Sequence, residues 1–232
     1  MKFLLQAKDC VAIHKPSGWM TYADSPNQRA ISAQWHAEKR SGKKLYPVHR
    51  IDKDTCGILV FATSPEGSRK LTELFRSRAV KKQYWAIVHG RTPESGEIDQ
   101  PLPRNKEKTL EPAFTAFKTL AHTDIELEGE QREYSLVQCE PKTGRYHQIR
   151  LHLRQIAHPI VGDPEHGNSW NNRVFLEKFG VKRTLLSAVA LQFPDREREK
   201  IIRLKTQPDP DFQKVLKELN LNVQRSPAKT PQ

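Results

Sequence analysis

A mixed α+β fold is what this sequence predicts, and three observations predict it. Short apolar runs rich in β-branched and aromatic residues, GILVFAT and QYWAIVHG among them, have the length of buried strands. Between them lie stretches at helical spacing, of which DPDFQKVLKEL is the plainest, with Phe212, Val215, Leu216 and Leu219 at i, i+3, i+4 and i+7. The chain of 232 residues has no solenoid repeat and no Gly/Ser linker, so one substantial core is expected.

Along the chain, CVAIHKPSGWMTY reads as a strand over Cys10–Ile13 that Pro16 and Gly18 stop in a turn. GILVFAT is a buried strand, after which Ser64 and Pro65 supply an N-cap and a first-turn proline to a helix with Leu71, Leu74 and Phe75 on one face. QYWAIVHG is a further strand ending at Gly90. The passage from Arg91 to Glu111, polar and carrying three prolines, reads as an excursion over the surface. EYSLVQCEP alternates imperfectly and is read as a strand. After the Thr143-Gly144 turn a helix is expected with Ile149, Leu153 and Ile156 toward a core, and the last helix is followed by the polar NVQRSPAKTPQ, expected to be disordered.

Composition excludes several classes of function. Thirty-nine Lys and Arg against 27 Asp and Glu give a net charge of +12, an excess that favours a polyanionic partner, nucleic acid before membrane. The longest apolar run, Gly57 to Ala62, is far too short to cross a bilayer, and MKFLLQAKDC has no signal-peptide core. Cys10, Cys56 and Cys139 are odd in number and never in CxxC spacing, which fits reduced cysteines in the cytoplasm rather than a disulfide framework or zinc cluster. No GxGxxG or GxxxxGK[ST] cradle for a nucleotide is present. His147 and His152 are five apart, not the i, i+4 of a metal-binding helix face, and Ser64 and Ser187 lack a nucleophile-elbow context.

Two segments mix charge and glycine with turn geometry. In YPVHRIDKDTCG the carboxylate of Asp52 stands in a loop before a buried strand, where a rigid scaffold can hold a reachable side chain. In EPKTGRYHQIRLHL a turn brings Arg145 to the mouth of a helix. By pattern alone each segment is equally a solvated surface loop closed by an ion pair.

HRIDKDTCG resembles the catalytic motif of the RluA-type family of RNA pseudouridine synthases. In family order, IHKPSGWMTY resembles its lysine-proline motif, KKQYWAIVHG its Lys-x-Tyr strand, KTGRYHQIRLHL its arginine motif and HPIVGDPEHG its Gly-Asp turn. The resemblance runs from Cys10 to Gly167. Two positions depart from it: Cys56 stands where serine is usual and Ser187 where histidine is usual.

The resemblance implies a pseudouridine synthase fold, a largely antiparallel mixed sheet flanked by helices and loops with an active cleft across its centre. It implies one catalytic domain over 1–220, a basic disordered tail over 221–232, and no preceding S4-type domain. The implied reaction converts uridine in RNA to its C-glycoside without cofactor or metal. Asp52 is then the catalytic carboxylate, acting at C1′ or C2′ of the sugar, with Arg145 as its bidentate partner and Tyr84 against the uracil ring. Arg50 would occupy the stack that the extracted base vacates, and His49, Lys82 and Ile149 are expected at the RNA-binding surface. Features beyond the shared motifs resemble a branch that modifies the T-arm stem of tRNA. An rRNA-modifying member of the family and a non-catalytic RNA-binding module are the alternatives, and a metal-dependent nuclease is disfavoured by the lack of clustered carboxylates. The protein is expected to be cytoplasmic and monomeric, with RNA as its partner.

Overall fold

The computed structural model describes residues 1–104, 109–195 and 199–221. In chain order the strands and helices are β1 (Lys2–Gln6), β2 (Cys10–Lys15), α1 (Ala33–Ser41), β3 (Tyr46–Pro47), β4 (Cys56–Ala62), α2 (Pro65–Arg76), β5 (Lys81–His89), β6 (Ser95–Asp99), β7 (Leu102–Pro103), β8 (Leu110–Glu111), β9 (Phe114–Leu127), β10 (Glu130–Pro141), α3 (Gln148–Gln155), α4 (Ser169–Phe179), β11 (Leu186–Asp195), β12 (Lys200–Lys205) and α5 (Pro210–Glu218). The main sheet has the order β1-β2-β4-β11-β5-β10-β9-β6, with β12 added on β11 and β3 on β4. Every pairing in it is antiparallel except that of β11 with β4. This is the mixed, largely antiparallel sheet that the resemblance implies.

Successive side chains of a strand point to opposite faces. Along β2 and β4 one set, with Ala12, Ile58 and Val60, packs against Leu71 and Leu74 of α2. The other set, with Val11, Ile13, Leu59 and Phe61, packs against Ala33 and Ala37 of α1. Coverage on both faces is why Cys56–Ala62 is apolar without alternation. The other half of the sheet repeats the arrangement. Ile87, Tyr134 and Leu136 meet α4 and α5 through Phe175, Phe212 and Val215, whereas Ala86, Val88 and Val137 meet α3 through Ile149 and Leu153.

The two halves join at a narrow seam. β11 and β4 share only the pairs Ser187 with Cys56 and Ala188 with Gly57. A Cβ on Gly57 would lie 2.2 Å from the Ala188 carbonyl oxygen, and its φ of +115° is outside the range of ordinary side chains, so this position requires glycine.

The passage read as a surface excursion differs from that expectation. It contains β6, β7 and β8, and β6 pairs along β9 from Ser95 with Lys118 to Asp99 with Phe114. Ile98 is its one buried residue, so main-chain pairing rather than hydropathy holds this edge and no apolar pattern announces it. Leu221, assigned to the tail, is buried against the α4–α5 cluster; the remaining tail residues lie outside those described. Among the described residues no helix is long and apolar enough to cross a membrane.

Candidate active site

Asp52 lies in the loop between β3 and β4, and the main chain of that loop is gripped from behind. The Lys15 ammonium, fully buried, donates to the carbonyls of Pro16 at 3.1 Å, Trp19 at 2.6 Å and Lys53 at 2.8 Å. Burial pushes this lysine down to about 7. Ser17 Oγ donates to the Asp54 carbonyl at 2.9 Å and Arg183 Nη1 to the same oxygen at 3.3 Å. Thr21 Oγ1 donates to the Ile51 carbonyl and accepts from the Ile51 amide. With these carbonyls fixed, Asp52 projects from a rigid support into a cavity of about 560 Å³.

The same cavity is lined by His49, Arg50, Lys82, Tyr84, Arg145 and Ile149, so all the expected residues border it together with Asp52, and Tyr146, His147 and Arg150 line it too. One expected pairing is corrected. Arg145 does not meet Asp52: its Nη1 pairs with Glu111 and its Nε donates to the Pro112 carbonyl at 3.1 Å, because the turn over 142–147 directs it toward the loop ahead of β9. The cation beside Asp52 is Arg150, whose Nη1 stands 3.5 Å from Asp52 Oδ2. Arg150 is held by two bonds to Asp163, Nε to Oδ2 at 2.6 Å and Nη2 to Oδ1 at 2.7 Å, with Glu165 at 3.4 Å. Burial opposes its charge, but the hydrogen bonds it donates to Asp163 and the surrounding carboxylates outweigh this and raise it above its ordinary value. Asp163, fully buried in its side chain, is shifted the opposite way: burial would raise it, and the Arg150 bonds with the amides of His166 and Glu165 bring it below its ordinary range. A fixed, desolvated carboxylate thus aims a fixed guanidinium at Asp52.

α3 can carry Arg150 there because the turn before it is closed by one side chain. Gln148 Oε1 accepts from Thr143 Oγ1 at 2.7 Å and from the Arg145 amide at 3.0 Å, while its Nε2 donates to the Phe114 carbonyl at 2.9 Å. His147 sits at the helix start with φ +50°, stacked on Tyr146 at 3.7 Å.

Tyr84, on β5, faces the cavity half-buried; burial, with the charge of Asp52, pushes its phenol upward, so it keeps its proton at neutral pH. Arg50 is exposed at the cavity's edge. The remaining residues expected to meet RNA are largely occupied inside the protein. His49 stacks on Phe75 at 4.5 Å and its Nε2 accepts from the Val60 amide at 3.0 Å, and burial pushes it down to about 3, which leaves it neutral. Lys82 donates to the Thr143 carbonyl at 2.9 Å, with burial pushing it down to about 8. Ile149 is 6% exposed and supplies an apolar patch of the floor.

Sequence reasoning missed Arg150, Asp163, Lys15 and Arg183. A signal existed for Arg150: it stands inside the expected helix, next to Ile149, and a buried arginine needs an acid such as that of the following Gly-Asp turn.

A carboxylate on a loop held through its carbonyls, an arginine 3.5 Å from it and a half-buried phenol thus share one cavity. The model of the family described as RNA pseudouridylate synthase matches residues 9–155, and the chain belongs to that family. It is an isomerase that converts uridine in RNA to pseudouridine. "tRNA pseudouridine synthase C" of Vibrio vulnificus (strain CMCP6) is 32% identical over 219 residues, covering 88% of this chain and 89% of the relative. The protein of the same name from Haemophilus ducreyi is 33% identical over 206 residues, covering 83% and 85%. Among solved structures, "Human RNA Pseudouridylate Synthase Domain Containing 4" superposes with a TM-score of 0.73 at 26% identity, covering 94% of this chain and 93% of that one.

Proposed function

We propose that the uridine is in tRNA and that Asp52 carries out the chemistry. The observation that carries the reading is the placement of Asp52 at 3.5 Å from Arg150 in a cavity of about 560 Å³, a volume in the range that small-molecule sites occupy. The tRNA names of the bacterial relatives support the choice of RNA.

The target base is extracted from its stack, and Arg50 at the cavity's edge fills the gap with its flat guanidinium. Ile149 and Tyr84 receive the uracil; because the Tyr84 phenol keeps its proton, it serves as a face for the ring rather than as an anionic base. Asp52 then attacks C1′ or takes a proton from C2′, and the bond between C1′ and N1 breaks with its electron pair on N1. The uracil turns and C5 forms the new bond to C1′, as the ester bond to Asp52 breaks in the first route or Asp52 returns its proton to C2′ in the second; the C5 proton is then lost and N1 gains one. Arg150, 3.5 Å away, orients Asp52 for either step. A basic surface supplies phosphate contacts whose strength falls with salt.

Mapping pseudouridines in total RNA from a strain lacking this gene tests the substrate: a tRNA pseudouridine should disappear. Loss of a ribosomal pseudouridine with every tRNA one intact would refute it. Asp52→Asn tests the residue. Turnover, read as tritium release from C5-labelled uridine RNA, should fall to background because an amide neither attacks the sugar nor takes its proton. Filter binding of RNA should persist, since an anion has been removed from a basic cleft. A folded Asp52→Asn protein releasing tritium at the wild-type rate would exclude this role.

A further inference from the structure

We propose that His14, Cys56 and Asp209 form a binding site for a divalent cation of zinc's class, behind the catalytic loop and outside the cavity. The three come from three different places: His14 from β2, Cys56 from the first position of β4, and Asp209 from the residue that precedes α5. A nitrogen, a sulfur and a carboxylate oxygen lie within 4.8 Å of one another. His14 Nε2 and Asp209 Oδ1 are 2.6 Å apart. Thiolate, imidazole and carboxylate together are a donor set that suits zinc, and three protein ligands leave a fourth tetrahedral position for water.

The surroundings of each donor argue for a built site. Metal-binding side chains are ordinarily oriented by a second polar contact on the atom that does not face the metal. His14 Nδ1 meets Thr206 Oγ1 at 2.8 Å, which turns Nε2 inward. Asp209 Oδ2 accepts from the Ser17 amide at 3.1 Å, which turns Oδ1 inward. Cys56 Sγ donates to Ser187 Oγ at 3.2 Å, and the Ser187 hydroxyl can donate back to the sulfur once the thiol proton has gone. The His14 and Asp209 side chains are 14% and 17% exposed, so an ion has a route from solvent although Cys56 is fully buried.

Two cations face the cluster. Arg183 Nη2 is 3.7 Å from Cys56 Sγ, but its charge is matched by Asp211, bound through Nε at 2.6 Å and Nη2 at 2.7 Å. Lys15 is already spent on three carbonyls, and burial brings it to about 7. On binding, the thiol proton and the proton on His14 Nε2 leave to solvent as bonds to the metal form. The ion would tie β2, β4 and α5 together where Ser17 and Arg183 hold the Asp54 carbonyl, so its effect is on the support of the loop and not on the chemistry in the cavity.

The test is a titration of the metal-free full-length protein with Co²⁺, followed by the sulfur-to-cobalt charge-transfer band in the near ultraviolet. A band saturating at one equivalent, and discharged by Zn²⁺, is expected. Cys56→Ser, whose fold is checked by circular dichroism, should abolish it, and Cys10→Ser should keep it. Asp209→Asn, which leaves the sulfur in place, should weaken binding at least about tenfold and carries the test if Cys56→Ser fails to fold. Zn²⁺ should raise the melting temperature of the wild type but not of Cys56→Ser. Absence of the band, or its survival in Cys56→Ser, overturns the proposal. So does binding without a sulfur band, which would place the ion at His147, Glu165 and His166. The readout does not involve RNA, so it stands or falls separately from the tRNA assignment.

Discussion

Arg150 divides one guanidinium between two tasks: Nε and Nη2 are committed to Asp163 and Nη1 is left for Asp52. Its 5% exposure makes removal costly, because Asp163 would remain as a buried charge without its cation, held only by the amides of Glu165 and His166. Arg150→Ala should therefore destabilise the protein by roughly 3–5 kcal/mol in chemical denaturation and abolish tritium release. Arg145→Ala removes a more exposed pair with Glu111 and should cost no more than about 1 kcal/mol with some turnover retained. Equal effects of the two changes would contradict this division of roles. KTGRYHQIR offers both arginines to the reader of the sequence, and the spacing does not choose between them. The choice depends on where the turn ends and α3 begins, which Gln148 decides through partners as distant in sequence as Phe114 and Thr115.

At the scale of elements, the seam between β4 and β11 is the weak point of the sheet, since two residue pairs join its halves directly behind Asp52. Gly57→Ala would drive a Cβ to 2.2 Å from the Ala188 carbonyl, where only the backbone can move. The expected result is loss of soluble folded protein, or separation of β4 from β11 with turnover falling alongside the melting temperature. A stable, fully active Gly57→Ala would show that the seam does not position the loop. α2 illustrates an element that local chemistry specifies: Ser64 Oγ accepts from the Gly67 amide at 3.0 Å and Pro65 follows at the first position. β9 and β10 illustrate the opposite. They form a hairpin of 14 and 12 residues, turned at Glu128 and Gly129 with φ of +50° and +79°. β10 shows a continuous buried core from Tyr134 to Val137 and is legible, while half-exposed β9 is not.

For the whole molecule, the histidines set the acid limit of stability. Burial lowers His49, His89, His122, His147, His152 and His166, whereas His14 is raised to about 9: burial opposes its charge and the bond to Asp209 leads the contributions that overcome it. A lowered histidine is neutral in the folded state while the unfolded chain takes up a proton near pH 6.5, so stability falls as pH drops below that value. For His49 the loss continues down to about pH 3. The stabilising contribution of His14 is fully present below pH 6.5 and is lost only as pH rises toward about 9, so it does not offset the acid side. Melting temperature measured from pH 7 to pH 4 should decline steadily, and His49→Gln, which can still accept from the Val60 amide, should flatten the decline. A melting temperature unchanged down to pH 5 would contradict this account.

The sequence by itself determined the parts whose cause is local or compositional: the buried strands β4, β5 and β10, the capped helix α2, the amphipathic α5, and the charged loop that carries Asp52. These are legible because periodicity, capping and turn chemistry act over a few residues. Only the tertiary structure decided that Arg150 rather than Arg145 faces Asp52, that Lys15 grips the loop from below, and that β6 closes an edge with one buried residue. The physical reason is shared: each depends on a partner far away in the chain, and a buried charge or an edge strand takes its meaning from what it pairs with.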